Sequence, residues 1–462
     1  MKKGSKIVSL LLCMLMVLSI AACGAQTGTS GSSDLSSGAS GSGSTTTGVS
    51  SSPYDVNNMK FDKVVIKVSS KYGGTNKNDE YYRSRVEQFN ALNNGITVEM
   101  DNISTESDYL DKLATAFADG STPNVFVEFG GSRCLDYVKA DALVDMAPYL
   151  AYDKTWSDSI MNGIWGATQY DGIKGTWGIP FHLYQVCLFY NKEILSQNNI
   201  EPPVTFDELL QDCATLMAKG IYPFQVGESD IYRWGHLFNC LALKTYGADV
   251  TDRLADRSLK YDSPEMIALY QIIKDMFDKG YLGPNPLSTN AAAEDSLFLD
   301  EKAAFKYDGT WFISAAMNSD IYDKIGVVAF PTINEEYAHV NQGGADMIWY
   351  ISKLKKSEAE IAASVVFVKY MAGSDFAAGH VKVAPDTFPF TYELSGEAAN
   401  SRLLNKVQAL MNTTTDYRTD LQTYDTASHM INTVRNALQG LGLGNSAEQC
   451  GKEIVDRIAE DE

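Results

Sequence analysis

Apolar and polar positions follow two different periods near the start of the folded part of the chain. Residues 61–69 (FDKVVIKVS) and 96–100 (ITVEM) show the β-branched and alternating patterns of strands. Between them, apolar residues recur at helical spacing over residues 80–94. A second helical pattern ends at Gly120, where glycine stops a helix readily, and the strand pattern NVFVEF (124–129) follows. This β-α-β-α-β order predicts a parallel sheet with right-handed crossovers.

The patterning continues beyond this unit, so the chain is longer than one core requires. Thr205 and Glu208 form a capping box that predicts a helix, and Gly220 ends it. Residues 262–280 predict another helix, and the section after Phe388 is rich in helical patterns. About 410 residues follow residue 52, which is too many for one compact core and fits two lobes.

The N-terminus has the pattern of an export signal. Three lysines precede an apolar run that ends in Ile20-Ala21-Ala22-Cys23, which resembles the lipobox of bacterial lipoproteins. The resemblance implies cleavage before Cys23 and a lipid on its sulfur, and an ordinary signal peptide is the alternative. Gly, Ser, Thr and Ala dominate residues 25–52, which predicts a flexible tether.

Charge and cysteine content narrow the classes of partner. The chain carries 38 basic and 58 acidic side chains, and loss of the leader leaves 35 against 58, a net charge of −23. This excludes nucleic acid as a partner and leaves the lipid anchor as the only membrane contact. The five cysteines after residue 23 have no CxxC spacing, and we expect them to be buried free thiols. We expect no metal and no cofactor, because the five histidines have no ligand spacing.

Five segments in a fixed order carry a family resemblance, at residues 114–129, 178–195, 202–224, 302–313 and 340–371. They include ATAFADGSTPNVFVEF, GIPFHLYQVCLFYNKEIL and KAAFKYDGTWFI. In this order they resemble the extracellular solute-binding proteins of bacterial ABC importers, in the cluster that includes maltose- and oligosaccharide-binding proteins.

The resemblance implies an α/β, two-lobed periplasmic-binding-protein-like fold (class II-like), with parallel-sheet lobes joined by hinge strands. The crossing segments are expected at Ile179-Pro180-Phe181, near Val340 to Gly344, and around 375–390. The implied organisation is a signal peptide 1–22, a lipid-anchored linker 23–53, an N-terminal lobe 54–180 plus 341–380, and a C-terminal lobe 181–340 plus 381–462.

Candidate binding residues follow from this fold and from the carboxyl ends of parallel strands, where such sheets bind ligands. Each has a structural alternative: core packing for the two tryptophans, Tyr184 and His182, an interlobe salt bridge for Glu128, a helix cap for Asp308, and a plain hinge for Gly344. The candidates are Trp311, Trp234, Tyr184, Glu128, Asp308, Gly344, Ser70 and His182, with Lys71, Arg233 and Tyr417 as weaker ones.

The resemblance implies a monomeric binding protein, not an enzyme. It would capture a carbohydrate, an oligosaccharide, and deliver it to ABC permease transmembrane subunits with a cytoplasmic ATPase. A cationic ligand such as a polyamine is the alternative that the charge favours. A lipid-anchored glycoside hydrolase is a weaker alternative, since it needs two carboxylates at a fixed separation that sequence cannot pair. A structural adhesin would favour internal repeats, and the sequence shows none.

Overall fold

The computed structural model describes residues 52–161, 164–170, 172–396, 398–427 and 429–461. The predicted signal peptide, Cys23 and nearly all of the linker 23–53 lie outside the described residues. The strands are β1 Val64–Ser70, β2 Ile96–Asn102, β3 Val125–Glu128, β4 Ile179–Asn191, β5 Phe305–Gly309, β6 Ile325–Ala329, β7 Val340–Ile351 and β8 Asp416–Arg418.

The described α-helices cover both faces of the sheet that these strands form. They are α1 Lys77–Ala91, α2 Glu106–Asp119, α3 Ser132–Lys139, α4 Ala147–Tyr152, α5 Lys154–Asp158, α6 Lys192–Gln197, α7 Phe206–Met217, α8 Arg233–Tyr246, α9 Val250–Ala255, α10 Pro264–Asp278, α11 Ala291–Leu299, α12 Phe312–Met317, α13 Glu358–Met371, α14 Ser374–His380, α15 Arg402–Met411, α16 Met430–Gly442 and α17 Ala447–Asp461.

The first lobe is the parallel unit β2-β1-β3 with α1 and α2, as the sequence predicts. Asn76 caps α1 by accepting a hydrogen bond from the Asp79 amide. Gly120 ends α2 with a φ of 71°, a left-handed conformation that glycine adopts without steric cost. In the second lobe the predicted capping box of Thr205 and Glu208 is present at the start of α7.

Two long strands connect the lobes. The first half of β4 pairs antiparallel with β7, from Ile179 with Trp349 to Gln185 with Gly343. The second half of β4 pairs with β5 and β6, which belong to the second lobe. The other end of β7 pairs with β3 of the first lobe, from Val125 with Ile351 onward. A third segment joins β4 through the Leu183 amide, which donates to the Thr387 carbonyl at 3.0 Å. All three predicted crossing segments therefore meet here.

Two clusters of buried apolar side chains fill the fold. The first begins under β1–β3 and continues through Phe181 and Trp349, whose rings stack at 4.8 Å, onto one face of β4–β6. The second covers the opposite face of the same strands, where α8, α10, α16 and α17 pack on Val186 and Leu188. Residues Leu403 and Val407 of α15 lie in the first cluster. The clusters thus do not follow the predicted lobe boundaries, which stay a prediction.

The five described cysteines are buried and free, which confirms the expectation for their thiols. The described residues hold no group of three or more His, Cys, Asp or Glu side chains suited to a metal ion. No single described helix is long and apolar enough to cross a membrane. The pair α13 and α14, bent by 45°, meets that criterion jointly by length and composition, and much of it packs in the first cluster.

Candidate ligand-binding site

Two cavities open side by side between the lobes and share Lys71, Trp311 and Asp346 in their walls. The first cavity has a volume of about 610 Å³ and the second about 320 Å³. The first is also lined by Tyr72, Asn76, Asn78, Asp79, Tyr82, His182, Ser314, Asn318, Met347 and Asp386. The second is also lined by Phe129, Arg133, Tyr184, Asp230, Tyr232, His236, Ala345, Thr419, Asp420, Thr423 and Arg435.

Trp311 stands where the two cavities meet. It follows β5 and occupies the position before α12, and its side chain is half-buried. The ring packs on Tyr184, with centroids 5.4 Å apart, and near His236 at 5.9 Å. A Cβ on Gly309 would lie 2.2 Å from the Trp311 ring, so the chain needs glycine there to seat the indole. The result is an aromatic wall that faces both cavities.

His182 lies on the floor of the first cavity between two carboxylates. Its Nδ1 is 2.5 Å from Asp346 Oδ1, and its Nε2 is 2.7 Å from Asp386 Oδ1. Burial lowers the pKa of His182, but the two carboxylates outweigh this effect and raise the pKa to about 10. The imidazole is therefore charged near neutral pH, and both ring nitrogens donate.

The second cavity combines rings with a partly buried ion pair. Arg435 Nη2 donates to Asp420 Oδ2 at 2.6 Å, and Asn239 Nδ2 donates to Asp420 Oδ1 at 2.6 Å. Burial lowers the pKa of His236 to about 4, so this imidazole is neutral near pH 7. Across the cavity, Arg133 lies over the Phe129 ring at 5.5 Å. The wall thus offers both hydrogen-bond donors and acceptors beside apolar ring faces.

The family profile described as bacterial extracellular solute-binding protein matches residues 84–401. The chain belongs to this family. The profile begins inside α1 and covers the rest of the first lobe, the crossing strands and the second lobe up to Ser401, which agrees with the two-lobed α/β architecture.

Solved structures of similar fold match this solute-binding protein over almost their own full length. A chitin oligosaccharide binding protein is 20% identical, with a TM-score of 0.77, and the match covers 86% of this chain and 99% of that one. A structure from a study of xylan utilization by Caldanaerobius polysaccharolyticus is 20% identical, with a TM-score of 0.76, covering 86% and 100%. Maltose-bound MalE3 from T. maritima is 18% identical, with a TM-score of 0.66, covering 86% and 100%. At these identities the likeness establishes the fold.

The solute-binding protein brings three of the predicted side chains to the cavities: Trp311, Tyr184 and His182. Gly344 lies in β7 opposite Tyr184 with a φ of 120°, a region that favours glycine. Lys71, a weaker candidate, lines both cavities. These five positions form the part of the prediction that the fold places together.

Besides Gly344, which lines neither cavity, four more predicted residues do not line either one. Trp234 is 0% exposed and packs edge-on against Phe277 in the second cluster. Asp308 is buried and holds Arg233 at 2.9 Å. Glu128 is buried at the end of β3.

The fourth of these residues is Ser70, which is buried and donates to Asn102 Oδ1 at 2.7 Å. The weaker candidate Tyr417 donates to Gln185 Oε1 at 3.0 Å. Both hydroxyls are therefore engaged within the protein, and we leave both residues out of the site.

The cavity residues that escaped the sequence reasoning include Asp346, Asp386, Tyr232, His236, Asp420 and Arg435. A signal existed for Tyr232 and His236, which flank Trp234 in DIYRWGHLF at a separation of four residues. That spacing places both rings on one side of α8, where their centroids are 5.1 Å apart, while Trp234 faces the core. Helical periodicity in that short stretch would have predicted Tyr232 and His236 as cavity residues in place of Trp234.

Proposed function

We propose that the protein captures a carbohydrate, an oligosaccharide, between its two lobes and delivers it to an ABC permease. The observation that carries the proposal is the position of Trp311, whose half-buried ring is shared by two adjoining cavities. A sugar ring has flat C–H faces that pack on aromatic rings and hydroxyls that need paired donors and acceptors. The cavities offer both, with Tyr184 beside Trp311 and carboxylates, amides and cations around them.

The sizes of the cavities support a ligand longer than one ring. Ligand sites are typically about 300–1,000 Å³, and each cavity here is within that range at about 610 and 320 Å³. Because Trp311 borders both, a chain of sugar units has a continuous path past its ring. The solved structures of similar fold include one bound to raffinose and one bound to maltose, both oligomers of simple sugars.

A cationic ligand such as a polyamine is the second candidate, and the acidic side chains of the site favour it. Asp79, Asp230, Asp346, Asp386 and Asp420 line the two cavities. However, His182 lies between Asp346 and Asp386, and Arg435 pairs with Asp420. These cations offset much of the negative charge, which favours a neutral ligand over a cationic one.

A thermal-shift screen tests the proposal. The purified protein is melted with maltotriose, xylotriose, chitotriose, raffinose and glucose, and separately with spermidine and putrescine. A sugar present at a hundred times its Kd raises the unfolding free energy by about 2.7 kcal/mol. Each hit is then titrated by calorimetry and checked for cleavage products by chromatography. Stabilisation by a polyamine and by none of the sugars, or steady release of cleavage products, would overturn the carbohydrate-binding proposal.

We also propose that the protein is held at the extracytoplasmic face of the membrane by a lipid on Cys23. The proposal is supported by the sequence Ile20-Ala21-Ala22-Cys23, which follows a basic and then apolar leader. The Cys23→Ser variant should be released or left unprocessed, while the wild type sediments with membranes. Membrane fractionation and N-terminal sequencing check this, and a soluble wild type that begins downstream of Cys23 contradicts it.

A further inference from the structure

One buried imidazole joins all three segments that cross between the lobes. His182 belongs to β4, Asp346 to β7, and Asp386 to the segment after α14. The distances are 2.5 Å from Nδ1 to Asp346 and 2.7 Å from Nε2 to Asp386. All three side chains line the first cavity. The ion triad, as we name these three residues, therefore lies both at the hinge and at the ligand site.

The two carboxylates of the ion triad differ in how much of their hydrogen-bonding capacity the protein uses. Asp386 Oδ1 also accepts from the Thr387 amide at 2.8 Å, and its side chain is 5% exposed. Asp386 Oδ2 accepts from Asn78 at 3.5 Å. Asp346 makes its hydrogen bond through Oδ1 alone, and among the described residues its Oδ2 has no partner. The Asp346 side chain is 15% exposed and borders both cavities beside Trp311.

We propose that Asp346 is the carboxylate that accepts hydroxyl hydrogen bonds from the sugar ring beside Trp311. His182 and Asp386 are positioning residues that hold it in place. This inference rests on the proposed carbohydrate function and identifies a residue that determines specificity within that site.

The geometry explains why a charged acceptor is tolerated at the floor of the cleft. A lone buried carboxylate is costly, whereas one that accepts from an imidazolium is compensated. His182 in turn is fixed because both of its nitrogens are bonded, so it cannot rotate away from Asp346. With two carboxylates and one imidazolium, the ion triad retains one negative charge, and its open oxygen is on Asp346. A hydroxyl donor of a neutral sugar is the group that such an oxygen accepts.

The affinity experiment compares Asp346→Asn with the wild type, using titrations of maltotriose, xylotriose, chitotriose and raffinose. Asp346→Asn should weaken the tightest of these sugars by roughly ten- to hundredfold, the loss expected for a charge-assisted hydrogen bond. Apo melting is recorded for each variant, and Asp346→Ser serves as the second variant if Asp346→Asn does not fold. The matched control is Asp101→Asn, which removes a half-exposed carboxylate paired with Lys112 outside both cavities. Its affinity should equal that of the wild type.

The positioning role has its own readout in the pH dependence of affinity. Wild-type binding should persist up to the alkaline range and weaken as His182 deprotonates. In Asp386→Asn, His182 loses one of its two carboxylates, so binding should weaken at a lower pH. The other ionisable groups around the ion triad are unchanged in this variant; they are Lys71, Tyr72, Lys77, Asp79, Tyr82, Tyr184 and His380. If Asp386 had a purely structural role, Asp386→Asn would reduce stability without moving the pH above which sugar binding weakens.

The outcomes separate the inference from the function on which it rests. Weaker binding in Asp346→Asn, together with the shifted alkaline limit in Asp386→Asn, supports the inference. If the wild type binds a sugar and folded Asp346→Asn binds it with the same affinity, the inference is overturned and the proposed function remains intact. An unmoved alkaline limit in Asp386→Asn overturns the positioning role. Failure of every sugar to bind the wild type overturns the proposed function, and this inference with it.

Discussion

Trp311 and Trp234 look alike in the sequence, since each follows a short polar or glycine-containing stretch, yet they occupy opposite environments. Trp311 is half-buried between two cavities, whereas Trp234 is 0% exposed inside the second cluster. The difference arises because Trp234 lies in the first turn of a helix whose opposite side carries Tyr232 and His236, while Trp311 precedes a helix at the end of a strand. Local sequence shows the residue type, and only the surrounding elements decide which way it faces.

This pair provides a matched test of the binding role. Trp311→Ala should lower sugar affinity by at least the roughly 0.5–1.5 kcal/mol of an aromatic pair, with a small change in apo melting. Trp234→Ala should reduce the free energy of unfolding by about 3–5 kcal/mol with unchanged affinity per folded molecule, since it creates a cavity in the core. Calorimetric melting and titration measure the two quantities. If Trp311→Ala greatly lowers the melting temperature of the apo protein and leaves the sugar affinity normal, Trp311 is a core residue instead.

Residue-level reasoning named cavity residues where the signal was local and missed them where their partners are distant. Tyr184 and His182 came from a single stretch that leads out of the first crossing. Asp346 and Asp386 are 164 and 204 positions away from His182, and no periodicity connects them. Asp308 was predicted to touch ligand, but it binds Lys306, two positions away in β5, and Arg233 of α8. The contacts with Arg233 and within the His182 pairs join distant parts of the chain, which a single sequence does not encode in any short pattern.

At the level of elements, a buried ion cluster holds α8, α11 and β5 together behind Trp311. Arg233 donates to Glu294 Oε1 at 2.6 Å and to Asp308 Oδ1 at 2.9 Å, and Lys306 contacts both carboxylates at 2.8 Å. Burial raises the pKa of Asp308, but Arg233 and Lys306 outweigh this and keep the pKa below its ordinary value. All four side chains are at most 4% exposed, so each charge depends on its partners.

Removing one member should therefore destabilise the fold strongly. Arg233→Met leaves Glu294 and Asp308 short of a cation, and we expect a loss of about 3–5 kcal/mol in unfolding free energy. Lys274→Met is the control, because it breaks an ion pair with Asp278 on a partly exposed helix surface and should change stability by less than about 1 kcal/mol. Chemical denaturation measures both. Equal stabilities for the two variants would contradict a structural role for the cluster.

The crossing segments should give the protein a specific loss of stability at alkaline pH. The pKa of His182 is about 10 in the folded protein, above the ordinary value of 6.5 expected when unfolded. A raised pKa means that the folded state binds the proton more tightly, so this contribution is complete below pH 6.5 and is lost as pH rises through about 10. The melting temperature of the wild type minus that of His182→Gln should therefore fall between about pH 7 and pH 10.

The variant is needed because other groups titrate in the same range. Burial lowers the pKa of Lys244 to about 8, which adds stability as pH rises, opposite in sign to His182. Lys244 is present in both proteins, so its effect cancels in the difference. A difference in melting temperature that stays constant from pH 7 to pH 10 would show that His182 is not held as a cation.

Helices whose ends are marked by local capping residues or glycines were predicted well, whereas long-range strand pairing was not. The capping box at Thr205 and the glycine at Gly120 marked helix ends that the structure has, because both act within one turn. The pairing of β4 with β7 joins residues more than 150 positions apart, and only the family resemblance placed it. The bulge between Pro180 and Leu183, which brings His182 to its two carboxylates, has no signature in the stretch itself.

At the scale of the whole molecule, both lobes contribute to the walls of the cavities, and the ligand would therefore act on their separation. Lys71, Tyr72 and Tyr82 come from the first lobe, and Trp311 and Asn318 come from the second. A ligand that contacts both sides binds best when they are close, so it favours a closed arrangement over an open one. The segments able to absorb such a motion are the three that cross, because they are the connections between the lobes that pass beside the cavities.

Binding should accordingly reduce the radius of gyration measured by small-angle scattering, with bending about Ile179-Pro180 and Gly343-Gly344. Gly344 has a φ of 120° within β7, and glycine alone changes readily from such a conformation, which suits a hinge position. The measurement uses the sugar that binds most tightly in the screen, at a concentration that saturates the wild type. The control is the wild type with a sugar from the screen that gives no thermal shift, at the same concentration, which should leave the radius at the apo value. If the wild-type radius stays constant while titration confirms that the sugar is bound, closure about these segments is wrong, and the cleft must accept its ligand without moving the lobes.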